Sequence, residues 1–263
     1  MHISIPASLA ANYEWRLALY VIAAVLVVLS LGRYLMYRLP GLRQTRQLNK
    51  TTAVQRMSRE SYVRTQLRSA VWGLLFQIVY FVLVLPFIVT GVAHPWWRAL
   101  LDIFVILMVY DFLYYFTHRF LFHAGPLGAP LVWMHAVHHQ QKNPCRSDSN
   151  YLHPLETCIG LALFLGTLAV LAILMGKFQV VTIVVTFVLF LEINEHNHDL
   201  MEVKHFPFKY LHRAAYLHHV HHARFTGGNF GTISSFYDWL FGTYDAGNGW
   251  NNQLKTNNLA KSD

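Results

Sequence analysis

Five stretches of this chain are apolar for about as long as a helix needs to cross a bilayer. At about 1.5 Å of rise per residue, a hydrocarbon core about 30 Å thick takes roughly 20 residues. The runs fall at residues 17–37, 70–92, 96–116, 158–175 and 178–193. In lipid their backbone polar groups can pair only within a helix or a closed barrel, and unbroken apolar runs of this length are helical. The expected fold is therefore all-α and integral to the membrane, with four to five transmembrane helices. Composition agrees, since 54% hydrophobic against 13% charged residues is too apolar for a soluble domain of 263 residues. Pro86 is expected to kink the second span and Trp96 and Trp97 to anchor the third at the interface. Gly176-Lys177 leaves room only for a tight hairpin between the last two spans.

Charge orients these spans. The 21 Lys+Arg against 13 Asp+Glu give a formal +8, which on a polar domain would point to nucleic acid. Nine of the cations instead lie from the end of the first apolar run to the start of the second: Arg33, Arg38, Arg43, Arg46, Lys50, Arg56, Arg59, Arg64 and Arg68. That is the pattern of a cytoplasmic membrane loop, and no nucleic-acid partner is expected. The first 14 residues lack the basic start and small-residue cleavage site of a secretory signal. Residues 1–69 accordingly read as a signal-anchor helix with a basic cytoplasmic loop, and 1–263 as a single membrane-embedded domain.

With that loop inside, segments 117–155 and 195–263 also face the cytoplasm, the side expected of a bacterial inner-membrane or endoplasmic-reticulum protein. Fourteen of the 16 histidines then share this face, and only His2 and His94 lie opposite. Arginines alone drew this topology, yet it gathers the histidines.

Neutral imidazole is the commonest metal ligand, and spacing decides which rings share an ion. In His135-x-x-His138-His139 the first ring lies on the same helical face as the other two, which point about 100° apart and can feed two adjacent metals. His218-x-x-His221-His222 repeats the pattern. His118 and His123, five apart, are about 140° apart on an ideal α-helix. They converge only if the helix ends between them or they serve different metals. Asp111 and Tyr115 precede His118 at helical spacing and are expected to orient it, the alternative for Asp111 being an ion pair with Arg98 or Arg119. His153-Pro-Leu-Glu156 and Glu195-His196-Asn-His198 supply further candidates, whereas His205 and His212 read as surface residues.

An all-imidazole site favours iron over calcium or magnesium, which prefer oxygen, with copper and zinc as the alternatives, and zinc can replace iron in a purified preparation. Cys145 and Cys158 form no CxxC pair and read as ordinary reduced residues. A metal transporter would carry ionisable groups along several spans. A catalytically silent, metal-stabilised lipid-binding protein would show the same histidines as an enzyme.

With these motifs in place, the chain resembles the fatty acid hydroxylase superfamily of sterol desaturases, sterol C4-methyl oxidases and lipid hydroxylases. The likeness runs over about residues 98–245, from Asp111-Phe-Leu-Tyr-Tyr115-Phe-Thr-His118-Arg119 and His123 through Trp133-Met-His135-Ala-Val-His138-His139. It continues through His153-Pro154-Leu-Glu156, His196, His218-His219-Val-His221-His222, Asn229-Phe-Gly231 and Asp238-Trp-Leu-Phe-Gly-Thr243. The resemblance implies a transmembrane core with a cytosolic helical cap holding two irons. Carried over, the ligands are His118, His123, His135, His138, His139, His196, His218, His221 and His222, with His153 or His198 as a tenth and His219 pointing away. His196-Asn-His-Asp departs from the His-x-Gly-Tyr of the methyl-oxidase type.

The implied reaction is O2-dependent hydroxylation, or desaturation, of an unactivated C–H on a sterol, fatty acyl or sphingoid lipid. Such a cycle consumes external electrons, and the chain has no GxGxxG after a strand, no cysteine cluster and no haem module. A separate donor is expected, a ferredoxin or a small b-type cytochrome with its reductase. The basic loop 39–69 offers an acidic donor a landing site, although the same arginines can instead fix topology and touch anionic lipid.

Overall fold

In the computed structural model, residues 12–123 and 127–249 are described; His2 lies outside them. Five helices are long and apolar enough to cross a membrane: α1 (Trp15–Met36), α3 (Glu60–Leu83), α5 (Trp96–Phe116), α7 (Pro154–Met175) and α8 (Val180–Asn197). Between and after them come α2 (Pro40–Met57), the single turn α4 (Leu85–Ile88), α6 (Val132–His138), α9 (Lys209–Ala223) and α10 (Phe236–Leu240). The protein is a multi-pass, mostly helical membrane protein.

The spans associate because each has one face that packs and one that tolerates lipid. α1 lies on α8, α3 on α7, and α5 packs against both α7 and α8. At their meeting point Phe164 of α7 stacks on Phe190 of α8 with ring centroids 3.9 Å apart, and Tyr110 of α5 sets its ring edge-to-face with both. Ile106, Leu165, Leu168, Ile183 and Phe187 complete this buried core. The opposite faces of α1 and α3 expose leucines and valines such as Leu26, Leu31, Leu75 and Val79, as lipid-facing surfaces do.

The second span departs from expectation. It begins ten residues earlier than 70, at Glu60, and ends at Leu83 rather than running through Pro86 to 92. Proline has no N–H to give the preceding turn, so Pro86 sits in the first turn of α4, after Leu85, instead of kinking a continuous helix. The next residues, Val89–Thr90 (β1), pair in parallel with Phe178–Gln179 (β2), which were expected to begin the fifth span and instead precede it. Gly176 at φ 93° turns the chain out of α7 before β2.

The basic segment is a helix rather than a loop, because α2 docks an apolar edge. Leu42 packs with Met201 and Val203, and Asn49 donates to the Leu200 carbonyl while its own oxygen accepts from the Leu200 and Arg146 amides. Several of its cations are internal. Arg56 is ion-paired with the fully buried Asp148, so it is not free as a landing residue. Arg33, in the last turn of α1, bonds Glu192 and Glu195 of α8, which also hold Arg146. These bridges lock the polar cap onto the ends of the spans.

Candidate metal centre

Two groups of imidazoles converge where the cap meets the spans. His118, His123, His135, His139 and His221 form one, and His138, His198, His218 and His222 the other; within each, one ligand-capable atom per residue lies within 4.8 Å of all the rest. Each His-x-x-His-His motif is split between the groups. On α6 His135 and the residue after its end, His139, face the first group while His138 turns to the second; on α9 His218 and His222 face the second and His221 the first. The groups abut, with the His139 and His222 rings stacked at 4.7 Å.

His118 and His123 reach the same group by a change of helix type. Residues Thr117–His123 continue α5 as a π-helix. Its i→i+5 repeat brings residues five apart nearly into line, where an α-helix would splay them. The helix neither ends between them nor sends them to different groups, and their Nε2 atoms lie 3.2 Å apart.

What aims these rings is a set of hydrogen bonds on their far side. Nδ1 of His118 donates to the Phe230 carbonyl at 2.8 Å, His123 to Phe225 at 2.7 Å, His221 to Gly228 at 2.8 Å and His198 to Asn194 at 2.9 Å. His138 and His222 do the same, at greater length, to Tyr151 and Gln141. His135 donates to the Glu156 carboxylate at 2.7 Å. Carbonyl and carboxylate oxygens only accept, so Nδ1 carries the proton and Nε2 points a bare lone pair inward.

The inward nitrogens stand 2.9–3.2 Å from their neighbours. Lone pairs facing one another at that range repel unless a cation lies among them. Nitrogens held at about 2.1 Å from one ion and at right angles would be about 3.0 Å apart. The donor set thus fits a metal ion in each group. Burial agrees: desolvation holds His138 and His221 down to about 4, and lowers His135, His139, His198, His218 and His222 as well. The rings are neutral at pH 7, the form that ligates.

Four expected residues stand elsewhere. His196 spends Nδ1 on Asp199 at 2.9 Å and Nε2 on the Leu211 carbonyl at 2.9 Å, outside both groups, and His198 occupies the place expected of it. His153 caps the start of α7 by accepting from the Leu155 amide. Asp111 neither orients His118 directly nor pairs with arginine; it accepts from the amides of Thr232, Ile233 and Ser234 and from the Ser234 hydroxyl. Tyr115 bonds Thr243 and receives Arg119. His219 meets Asn143 outside the groups, as the resemblance implied.

Asp111 acts through the loop that carries the Phe230 carbonyl. Asp238, pushed up to about 6 by burial, grips the other side of that loop through the Phe230 and Gly231 amides. A Cβ at Gly231 would lie 2.4 Å from the Ser234 carbonyl, which explains glycine there. The carbonyl acceptors themselves were not foreseeable, because any residue type supplies one.

Beside the groups lies a cavity of about 300 Å³ bounded by α3, α5, α7 and α8. His118, His138, His198 and His218 form its polar end, and Leu74, Tyr110, Gly160, Leu161 and Phe190 its apolar wall. Leu74 is itself exposed on the lipid-facing side of α3.

A membrane-embedded helical bundle with two imidazole cages beside an apolar cavity defines the class. The fatty acid hydroxylase family model matches residues 103–243, more than half of the chain, and the chain belongs to that family. It is 31% identical over 177 residues to methylsterol monooxygenase 1 of Danio rerio, covering 64% of this chain and 55% of the relative. The Rattus norvegicus protein of the same name is 30% identical over 152 residues, covering 56% of this chain and 48% of the relative. The chain thus spans about half the length of the curated relatives it matches. No solved structure matches it.

Proposed function

We propose that this chain is a di-iron lipid oxygenase that hydroxylates an unactivated C–H of a membrane lipid, with a methyl-bearing sterol-like lipid as substrate. The observation that carries the reading is the cavity, whose apolar wall belongs to the spans and whose far end is imidazole. A lipid seated there has its carbon skeleton against Leu161 and Phe190 and one C–H beside His118 and His138. The relatives' printed activity, methylsterol monooxygenation, supports both the oxygenation and the substrate class.

In this reading His118, His123, His135, His139 and His221 hold one iron and His138, His198, His218 and His222 the other. Iron held there supplies the reduction of dioxygen and the oxidant for C–H cleavage, chemistry that side chains lack. The protein's own residues orient the rings through Phe225, Gly228, Phe230 and Glu156, and exclude water by burying eight of the nine, His218 being half-buried. The balance is one lipid C–H, one O2, two electrons and two protons giving one C–OH and one water. The two electrons come from a separate donor, a ferredoxin or small b-type cytochrome, reaching the cap from the cytoplasm. The arginine-rich segment after α1 supports that orientation.

The test is turnover under 18O2 of iron-loaded protein in lipid nanodiscs, with a methylsterol, a ferredoxin and its reductase. One 18O atom in a lipid alcohol is expected, with none formed before the donor is added. Full iron occupancy without label in any lipid would overturn the reading.

A further inference from the structure

We propose that the pocket at the end of α1 binds the phosphate of an anionic phospholipid. Arg38, Arg43 and Arg46 line one cavity of about 460 Å³ together with Tyr34 and Tyr37. Two of the guanidiniums are held in place by aromatic rings: Arg38 lies 4.5 Å over Tyr34 and bonds its hydroxyl, and Arg46 lies 4.8 Å over Tyr37. Stacking orients the planar donors without consuming them all, which suits bidentate contact with phosphate oxygens.

These cations differ from Arg33 and Arg56 of the same basic segment. Arg33, Arg56 and Arg146 are each paired with acids, whereas among the described residues none of Arg38, Arg43 and Arg46 has a carboxylate within ion-pair distance. Glu202 borders the adjoining groove with Arg38 and Arg43 and does not come within that distance. Three like charges facing one space repel, and an anion there relieves the repulsion. The arrangement is rigid as well: at the start of α2 a Cβ on Gly41 would already meet Val203 and Phe208 at 3.2–3.3 Å, so the helix bearing Arg43 and Arg46 is seated closely.

Position selects a lipid over an acidic protein. Tyr34 belongs to the last turn of a membrane span that ends at Met36, and Leu31, Leu35 and Leu39 around it are exposed apolar residues. One wall of the pocket is therefore the span itself, at headgroup depth. A phospholipid reaches it with its chains along α1, whereas a soluble electron carrier would have to displace headgroups first.

Native mass spectrometry of the full chain in detergent, titrated with phosphatidylglycerol, phosphatidylcholine or inorganic phosphate, tests this. Phosphatidylglycerol is expected to bind in preference to phosphatidylcholine. Arg43→Gln should weaken it about fivefold, and the triple Arg38→Gln, Arg43→Gln, Arg46→Gln variant about a hundredfold, at about one kcal/mol per guanidinium. Metal content and melting temperature in phosphatidylcholine should match the parent, and Arg43→Gln alone decides if the triple variant does not fold. An unchanged phosphatidylglycerol preference in the variants would overturn the proposal. So would inorganic phosphate binding as tightly as the lipid, or a ferredoxin whose binding these arginines control while the lipid preference stays.

Discussion

His135 and Glu156 meet across two elements: the Nδ1 of a histidine on α6 donates at 2.7 Å to a carboxylate in the first turn of α7, and both side chains are buried. Every other far-side bond to these rings runs to a backbone carbonyl, so this is the one that a substitution can remove. Such outer partners are worth about 10–100-fold in metal affinity. Glu156→Ala is expected to lose metal from the first group by that factor, and Glu156→Gln, which keeps an acceptor oxygen, by less. Metal retained after timed chelator challenge measures both.

His196 and His198 give opposite outcomes. His198→Ala removes an inward nitrogen from the four-histidine group, and metal content is expected to fall to that of the other group alone. His196→Ala breaks bonds to Asp199 and Leu211 outside the groups, so full metal content is expected with a lower melting temperature. Elemental analysis of the two purified variants decides between them.

That pair also shows where the sequence stopped being readable. Apolar runs of about 20 residues gave all five spans, because length and hydrocarbon thickness fix them. The two His-x-x-His-His motifs were legible for a similar reason, since helical spacing dictates which rings share a face. Which of His196 and His198 turns inward depends instead on where α8 stops: His196 lies in its last turn and His198 just past it. The π-helical turn at Thr117–His123 and the break at Pro86 are likewise set by tertiary packing, and the acceptor carbonyls of Phe225, Gly228 and Phe230 leave no residue-type signature.

Asp111 is expected to matter at a distance. Asp111→Ala leaves the amides of Thr232, Ile233 and Ser234 without their acceptor, at about 1–3 kcal/mol for each buried unpaired donor. The loop then loosens, and the Phe230 carbonyl no longer fixes His118. A lower melting temperature is predicted with metal lost from the five-histidine group first, and Asp111→Asn should fall between the two.

Metal-free protein should weaken as pH falls. Burial depresses His138 and His221 from an ordinary value near 6.5 to about 4. Between those limits the unfolded chain binds more protons than the folded one, so stability rises with pH and is lost as pH drops from about 6.5 towards 4. Melting temperatures of chelator-treated protein across that window test the sign. A melting temperature that rises on acidification would contradict it.

Metal counting on the intact protein bears most directly on the two-cage account. Elemental analysis of purified chain, with His221→Ala and His138→Ala alongside, should give two ions per chain for the parent and about one for each variant. The ion that remains should differ between the variants in its absorption or magnetic spectrum. One ion in the parent, or full occupancy in both variants, would contradict the assignment of the nine histidines to two metal sites.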